Sequence, residues 1–111
     1  MLLYAITPRV ENNIKIKNDK DFICVDFFTG REFISNRDKL DKIEALMQKN
    51  MIVNSGGILN ELFELFHLDD TDVGNDFGWY EGDEFSFTIN SRMQNGRPVA
   101  VIRYPTPCQL F

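Results

Sequence analysis

Acidic and aromatic residues are concentrated in one short stretch of the chain. Residues 69–84 contain seven carboxylates and no lysine or arginine, so this stretch alone carries a charge of −7. Four aromatic rings lie among these carboxylates or next to them. Carboxylates attract a cationic target from a distance, and ring faces hold ammonium or guanidinium groups. The stretch is therefore interpreted as a recognition site for a basic protein partner.

We define residues 69–85 as the acidic–aromatic segment and predict that it forms the binding site. The residues expected to contact the partner are Asp70, Asp72, Asp76, Phe77, Trp79, Tyr80, Glu81 and Asp83. Other interpretations fit the same pattern. The carboxylates could belong to a solvated loop, and the rings could be core residues that close the end of a sheet. The acidic surface could also resemble an acidic polymer and so occupy the binding site of a nucleic-acid-binding protein.

The spacing of the acidic residues partly resembles a calcium-binding loop. Asp70, Asp72 and Glu81 occupy positions one, three and twelve of such a loop. The resemblance fails in the middle, because Gly74 falls where an oxygen ligand belongs and Asn75 falls where the loop requires glycine. We therefore expect no metal site and no cofactor. The alternative is a metal-binding domain or a metal-dependent enzyme that uses these carboxylates together with the single histidine.

No other group of residues predicts catalysis. His67 lies near the end of a predicted helix, where the negative end of the helix dipole favours an imidazole side chain. The sequence has no serine in a nucleophile-elbow pattern and no glycine-rich phosphate loop. Cys24 lies in an apolar run and is expected to be a small buried side chain, whereas Cys108 lies in a tail that contains two prolines. These features favour a non-enzymatic protein.

The composition is that of one folded domain spanning residues 1–111. Hydrophobic residues make up 43% of the chain and charged residues 26%, both near the globular average. A net charge of −5 disfavours direct binding to nucleic acid, which needs clustered lysine and arginine. No apolar stretch reaches the ~20 residues of a membrane span, and the first residues do not resemble a signal peptide. We expect a cytoplasmic protein without membrane contacts. A structural subunit that forms homo-oligomers through a sheet edge or through residues 110–111 is a further alternative.

Strands and two helices must position the acidic–aromatic segment. Short strands are predicted at residues 2–7, 14–17, 22–28 and 31–34, as an antiparallel meander. The first helix is predicted to begin at Ser35 and to end near Asn50 in left-handed geometry. The second is predicted from residues 58–68, with Asn60 outside its apolar face.

A C-terminal hairpin follows from two independent signals. Asn95-Gly96 is the favoured pair for a two-residue type I′ turn. With that turn, the numbers of facing residues sum to 191, so that Ile89 faces Ile102. The same register separates apolar from polar side chains, apart from two valines on the polar face. The predicted fold class is α+β, an antiparallel β-sheet with two α-helices packed on one face.

The last third of the chain resembles small uncharacterised proteins of phages and integrative elements of low-GC Gram-positive bacteria. The resemblance rests on Gly78-Trp79, on residues 85–89, and on the run 96–102 before Tyr104. It implies no activity and assigns no functional residues. It favours an accessory or host-interacting protein over an enzyme.

Overall fold

Seven strands and two helices make up the part of the chain that the computed structural model describes, residues 20–111. The strands are β1 (Phe22–Asp26), β2 (Glu32–Ser35), β3 (Gly56–Ile58), β4 (Phe77–Tyr80), β5 (Thr88–Gln94), β6 (Arg97–Arg103) and β7 (Cys108–Gln109). The helices are α1 (Arg37–Val53) and α2 (Leu59–Leu65). The predicted α+β class with two helices is confirmed. The strands predicted at residues 2–7 and 14–17 lie outside the described residues.

Contacts along the chain separate two compact units. Among the described residues, the first unit contains residues 20–40 and Thr88–Arg103, and the second contains Asp41–Phe87 and Tyr104–Phe111. Helix α1 begins in the first unit and continues in the second. The single domain expected over residues 1–111 stays a prediction. Neither described helix is both long and apolar enough to cross a membrane.

The first unit contains a four-stranded sheet in the order β2-β1-β6-β5. β1 pairs with β2 and β5 pairs with β6 in antiparallel fashion, whereas β1 and β6 are parallel. The strands thus form one mixed sheet here and a second sheet elsewhere, instead of the single antiparallel sheet expected. A parallel pair needs a long crossover connection, and both helices lie between β1 and β6 in the sequence.

The predicted hairpin register of β5 and β6 is confirmed. Ile89 faces Ile102, and every other pair in the ladder also sums to 191. Asn95 and Gly96 form the turn with φ values of 54° and 79°, the positive values that a type I′ turn requires.

Two valines that the hairpin pattern placed on its polar face belong to the core. Val99 and Val101 on β6 are buried together with Ile23 and Val25 on β1. The parallel pairing brings the β1 side chains beside the valines on the same face of the sheet. The hairpin pattern could not reveal this, because it contains no information about the third strand.

A fully buried arginine follows the turn of the hairpin. The Arg97 guanidinium forms an ion pair with Glu32 on β2. The second oxygen of Glu32 accepts a hydrogen bond from the Gln94 amide at 2.8 Å. Arginine is almost never fully buried without a partner, and loss of one member of a buried pair leaves an uncompensated charge. The Glu32–Arg97 ion pair therefore links the hairpin to β2.

β1 ends two residues before the predicted end at residue 28. The buried Asp26 carboxylate accepts hydrogen bonds from the Thr29 N–H at 2.9 Å and from its hydroxyl at 2.6 Å. Hydrogen bonds from a side chain to the backbone a few residues later compete with the backbone hydrogen bonds between strands and favour a turn. The apolar residues that follow Asp26 therefore lie in a turn.

The predicted ends of α1 are wrong by a few residues. Asn36 rather than Ser35 is the cap, since its side-chain oxygen accepts a hydrogen bond from the Lys39 N–H at 2.9 Å. The helix continues three residues beyond Asn50 and ends at Val53. The left-handed residue that follows is Ser55, with φ of 57°.

The second unit contains α2 and a three-stranded antiparallel sheet in the order β3-β4-β7. α2 is shorter than predicted because His67 adopts a left-handed conformation with φ of 63°. The N–H groups of His67 and Leu68 donate hydrogen bonds to the carbonyls of Glu64 and Phe63. This is the pattern of a helix-terminating Schellman motif, so His67 acts as a helix-end residue.

The two thiols should differ sharply in reactivity. Burial raises the pKa of the Cys24 thiol to about 12, whereas Cys108 is exposed. Since thiolate is the reactive form, Cys108 alone should react rapidly with Ellman's reagent in the native protein. The reaction should release one equivalent of the coloured thionitrobenzoate ion. The matched variant Cys108→Ser should stay unlabelled until urea unfolds it. Rapid labelling of native Cys108→Ser would contradict the burial of Cys24.

Candidate recognition surface

Trp79 is a core residue of the second unit and is therefore withdrawn from the predicted contact residues. Its side chain is 1% exposed. The indole packs edge-on against the rings of Phe85 and Tyr104, with centroid distances of 4.9 and 5.7 Å. Its N–H donates a hydrogen bond to the Pro105 carbonyl at 2.7 Å, so the one polar atom of the ring is satisfied. The interpretation of the rings as core residues holds for Trp79 and Phe85.

Tyr80 is the most exposed of the aromatic residues in the acidic–aromatic segment. Successive side chains of a strand point to opposite faces, so burial of Trp79 directs its neighbour outward. The Tyr80 ring is 55% exposed, and Phe77 at the start of β4 is half-buried. Of the three predicted contact rings, Tyr80 is thus the one best placed to touch a partner.

A tight turn follows Tyr80 and presents the next carboxylates. The Tyr80 N–H donates a hydrogen bond to the Asp83 carboxylate at 2.9 Å, and the Asp83 N–H donates to the Tyr80 carbonyl at 3.0 Å. Gly82 adopts φ of 98°, a value that side-chain-bearing residues rarely reach. The turn leaves Glu81 exposed on its tip.

The other half of the acidic–aromatic segment is folded around a buried amide. Asn60 is 2% exposed, so the prediction that it lies outside the buried face of α2 is wrong. Its side-chain oxygen accepts a hydrogen bond from the Thr71 N–H at 2.9 Å. Its NH₂ group donates to the Thr71 carbonyl at 3.1 Å and to Asn75 at 3.2 Å. The backbone at Thr71 offers both an N–H and a carbonyl. An amide side chain can pair with both, because it carries an acceptor oxygen and an NH₂ donor group.

Gly74 lets the loop between α2 and β4, residues 66–76, approach this amide. This loop is called the acidic loop below. The Asn60 N–H donates a hydrogen bond to the Gly74 carbonyl at 3.1 Å. A methyl group in place of the glycine hydrogen would lie 1.9 Å from the Asn60 side-chain oxygen, far inside contact distance. The glycine that spoils the calcium-loop pattern is therefore needed for close packing of the loop on α2.

All seven carboxylates of the segment are exposed, and β4 divides them between two loops. The loop before β4 carries Asp69, Asp70, Asp72 and Asp76, and the loop after it carries Glu81, Asp83 and Glu84. Among the described residues, no three histidine, cysteine or acidic side chains are placed so that they could hold a metal ion. The predicted absence of a specific metal site stays a prediction.

Charge is unevenly distributed between the two units. The second unit has two basic and eleven acidic side chains, a net charge of −9. The rest of the chain has ten basic and six acidic side chains, a net charge of +4. The acidic–aromatic segment therefore supplies most of the negative charge of a strongly acidic unit.

Two clefts of the second unit adjoin the turn at residues 80–83. The first, called the apolar cleft, has a volume of about 400 Å³. Its walls include Gly56, Gly57, Ile58, Tyr80, Leu110 and Phe111. The second, called the acidic cleft, has a volume of about 460 Å³. Its walls include Met51, Ile52, Glu81, Asp83, Glu84 and Phe85.

Sequence reasoning missed the part of these walls that lies outside the acidic–aromatic segment. Residues 51–58 comprise the end of α1, the link that follows it and β3, and nothing in their pattern indicates that the chain passes beside β4. The pairing of β3 with β4 brings them there. Ile52 is 73% exposed although it is strongly apolar, which the sequence pattern does not indicate.

Two carboxyl groups meet where α2 joins the acidic loop. A hydrogen bond to Asp70 and the nearby Asp70 charge raise the pKa of Glu64 above its ordinary value. Both side chains are exposed, so the interaction is screened by solvent. The acidic loop thus begins with like charges held close together.

Removal of the buried amide should loosen the acidic loop. Asn60→Ala leaves the Thr71 N–H and carbonyl without their partners and should lower the free energy of unfolding by about 2 kcal/mol. Gly74→Ala should also destabilise, by about 1–3 kcal/mol, because its methyl group collides with the amide. In an Asn60→Ala background the added cost of Gly74→Ala should fall by more than half. Urea unfolding of all four chains checks this, and strictly additive costs would contradict the contact.

The Glu64–Asp70 contact should appear in the pH dependence of stability. A carboxyl whose folded pKa is raised stabilises the fold below its ordinary pKa, and that contribution is lost as pH rises through the folded pKa. Glu64→Gln should therefore be more stable than the parent chain at neutral pH, and the difference should disappear on acidification. The urea midpoint at several pH values measures this. Glu81→Gln is the matched control, and an equal gain from it would show a general charge effect.

The chain belongs to a family of unknown function, DUF6353, whose model matches residues 5–110. No curated protein and no solved structure matches it. The family carries no named activity. The resemblance of the last third to proteins of phages and integrative elements stays a prediction.

Proposed function

We propose that this DUF6353 member is a small non-enzymatic binding module that engages a basic protein partner through its acidic–aromatic segment. One observation carries the proposal. All seven carboxylates of the segment are exposed, and no lysine or arginine lies between them. Solvent-exposed charges of one sign on an ordered surface steer an oppositely charged partner toward it.

The ordered loops support binding rather than a merely solvated tail. The loop before β4 is held by the Asn60 amide, and the loop after it is closed by the Asp83 turn. Carboxylates on an ordered backbone lose less conformational freedom when a partner binds than carboxylates on a disordered one. The segment is thus prepared to present charge in a defined arrangement, with the exposed Tyr80 ring beside Glu81.

The setting of this activity is part of the proposal. An accessory role in a phage or mobile element, in the cytoplasm, fits a small module that acts by binding another protein. The metal-dependent and oligomeric alternatives have less support. No grouping of the described side chains favours a metal ion, and sheet edges occur in most open sheets whether or not they self-associate.

The proposal is tested by association kinetics with a fluorescein-labelled peptide that contains six arginines among serines and glycines. Asp72→Asn with Asp76→Asn, and separately Glu81→Gln with Glu84→Gln, should slow association several-fold at low salt. The rates should converge with that of the parent chain near 0.5 M salt, where screening acts within a few ångströms. Each variant needs an unchanged thermal midpoint, since exposed loop substitutions cost little stability.

Asp38→Asn with Asp41→Asn is the matched control, because it removes the same charge from an exposed part of α1. A smaller effect of this control supports the proposal. An equal effect would mean that net charge alone attracts the peptide. Absence of binding by the parent chain would overturn the proposed function.

A further inference from the structure

We infer that the partner presents an apolar side chain next to basic ones, and that the apolar side chain enters the apolar cleft while the basic ones meet the acidic cleft. This inference rests on the proposed function and names the chemistry of its partner. Both clefts lie within the second unit.

The apolar cleft has the size and walls of a side-chain receptor. Its volume of about 400 Å³ falls within the ~300–1,000 Å³ of typical ligand pockets. Tyr80 and Phe111 both line this cleft, and the two residues are 55% and 79% exposed. Gly56 and Gly57 also line it. Glu61 is the one charged residue in the walls, and its carboxylate already accepts a hydrogen bond from the Ile58 N–H at 3.0 Å.

The acidic cleft has the opposite character. Glu81, Asp83 and Glu84 lie in its walls, and none of its lining residues is basic. Met51 and Ile52 supply apolar surface beside these carboxylates. Lysine and arginine have long apolar stems that cover such surface while their charged ends reach carboxylates. Charge complementarity therefore assigns basic side chains to this cleft.

Two stretches of the chain contribute to both clefts. Tyr80 lines the apolar cleft, and the next residue, Glu81, lines the acidic one. Likewise, Ile52 lines the acidic cleft and Asn54 the apolar one. A short peptide that lies across the turn at residues 80–83 can therefore reach both. A partner with basic residues alone would leave the exposed Phe111 ring and the apolar cleft uncovered.

Two labelled peptides test the inference by fluorescence anisotropy. One contains six arginines among serines and glycines, and the other replaces one central serine by leucine. The parent chain should bind the leucine peptide about tenfold more tightly. Phe111→Ala should remove most of that difference and leave the affinity for the leucine-free peptide unchanged, because Phe111 lines the apolar cleft and not the acidic one. Tyr80→Ala should also remove most of the difference, and it should lower the affinity for both peptides because the Tyr80 ring contacts arginine side chains as well.

The matched control is Met93→Ala, which truncates an apolar side chain of similar exposure, 63%, in the first unit. It should preserve the tenfold preference. Equal affinity of the parent chain for the two peptides, or equal loss in the Met93 control, would overturn the inference while the proposed function stands. Failure of both peptides to bind would overturn the proposed function itself.

Discussion

Burial of the Trp79 indole is the constraint from which the candidate surface follows. The ring is enclosed by Phe85 and Tyr104, and its N–H is bonded to the Pro105 carbonyl. A large ring with its polar atom satisfied contributes strongly to a small core. It fixes the side-chain alternation of β4, so Tyr80 must face outward. The chain on either side of β4 then has to leave the core as two acidic loops.

The exposed loops depend on a few buried or capped polar groups. Asn60 satisfies the backbone at Thr71, and Gly74 gives the loop room to reach it. α1 also contributes, because Gln48 donates a hydrogen bond to the Phe85 carbonyl at 2.7 Å and Glu44 accepts one from the Phe87 N–H at 2.6 Å. Like charges repel within these loops, so such bonds offset the cost of holding them in one place.

Local patterns in the sequence were sufficient for some parts of the fold. The Asn95-Gly96 turn and side-chain alternation predicted the hairpin register, and apolar periodicity predicted both helices. These features depend on residues close together in the chain. The parallel pairing of β1 with β6 and the Glu32–Arg97 ion pair join residues about 65 or more apart, and no local pattern encodes them.

The candidate site divides in the same way. Charge can be counted from the sequence, and the predicted carboxylates are all exposed. The exposure of individual rings depends on which face of β4 meets the core, so Trp79 and Tyr80 could not be distinguished beforehand. Helical spacing places Asn60 outside the apolar face of α2. Asn60 is buried because its amide pairs with the N–H and carbonyl of Thr71 and with Asn75. This requirement depends on how the loop packs against α2, which the sequence pattern does not contain.

The most direct measurement is an amide chemical-shift titration of the intact chain with the leucine-containing arginine peptide. The account predicts that saturable shifts concentrate at residues 54–58 and 80–85, with small changes along β5. It also predicts that the Trp79 indole N–H stays protected from exchange throughout, since the ring remains buried under the surface it supports. Shifts concentrated in the first unit, or an indole N–H that exchanges freely, would contradict the account.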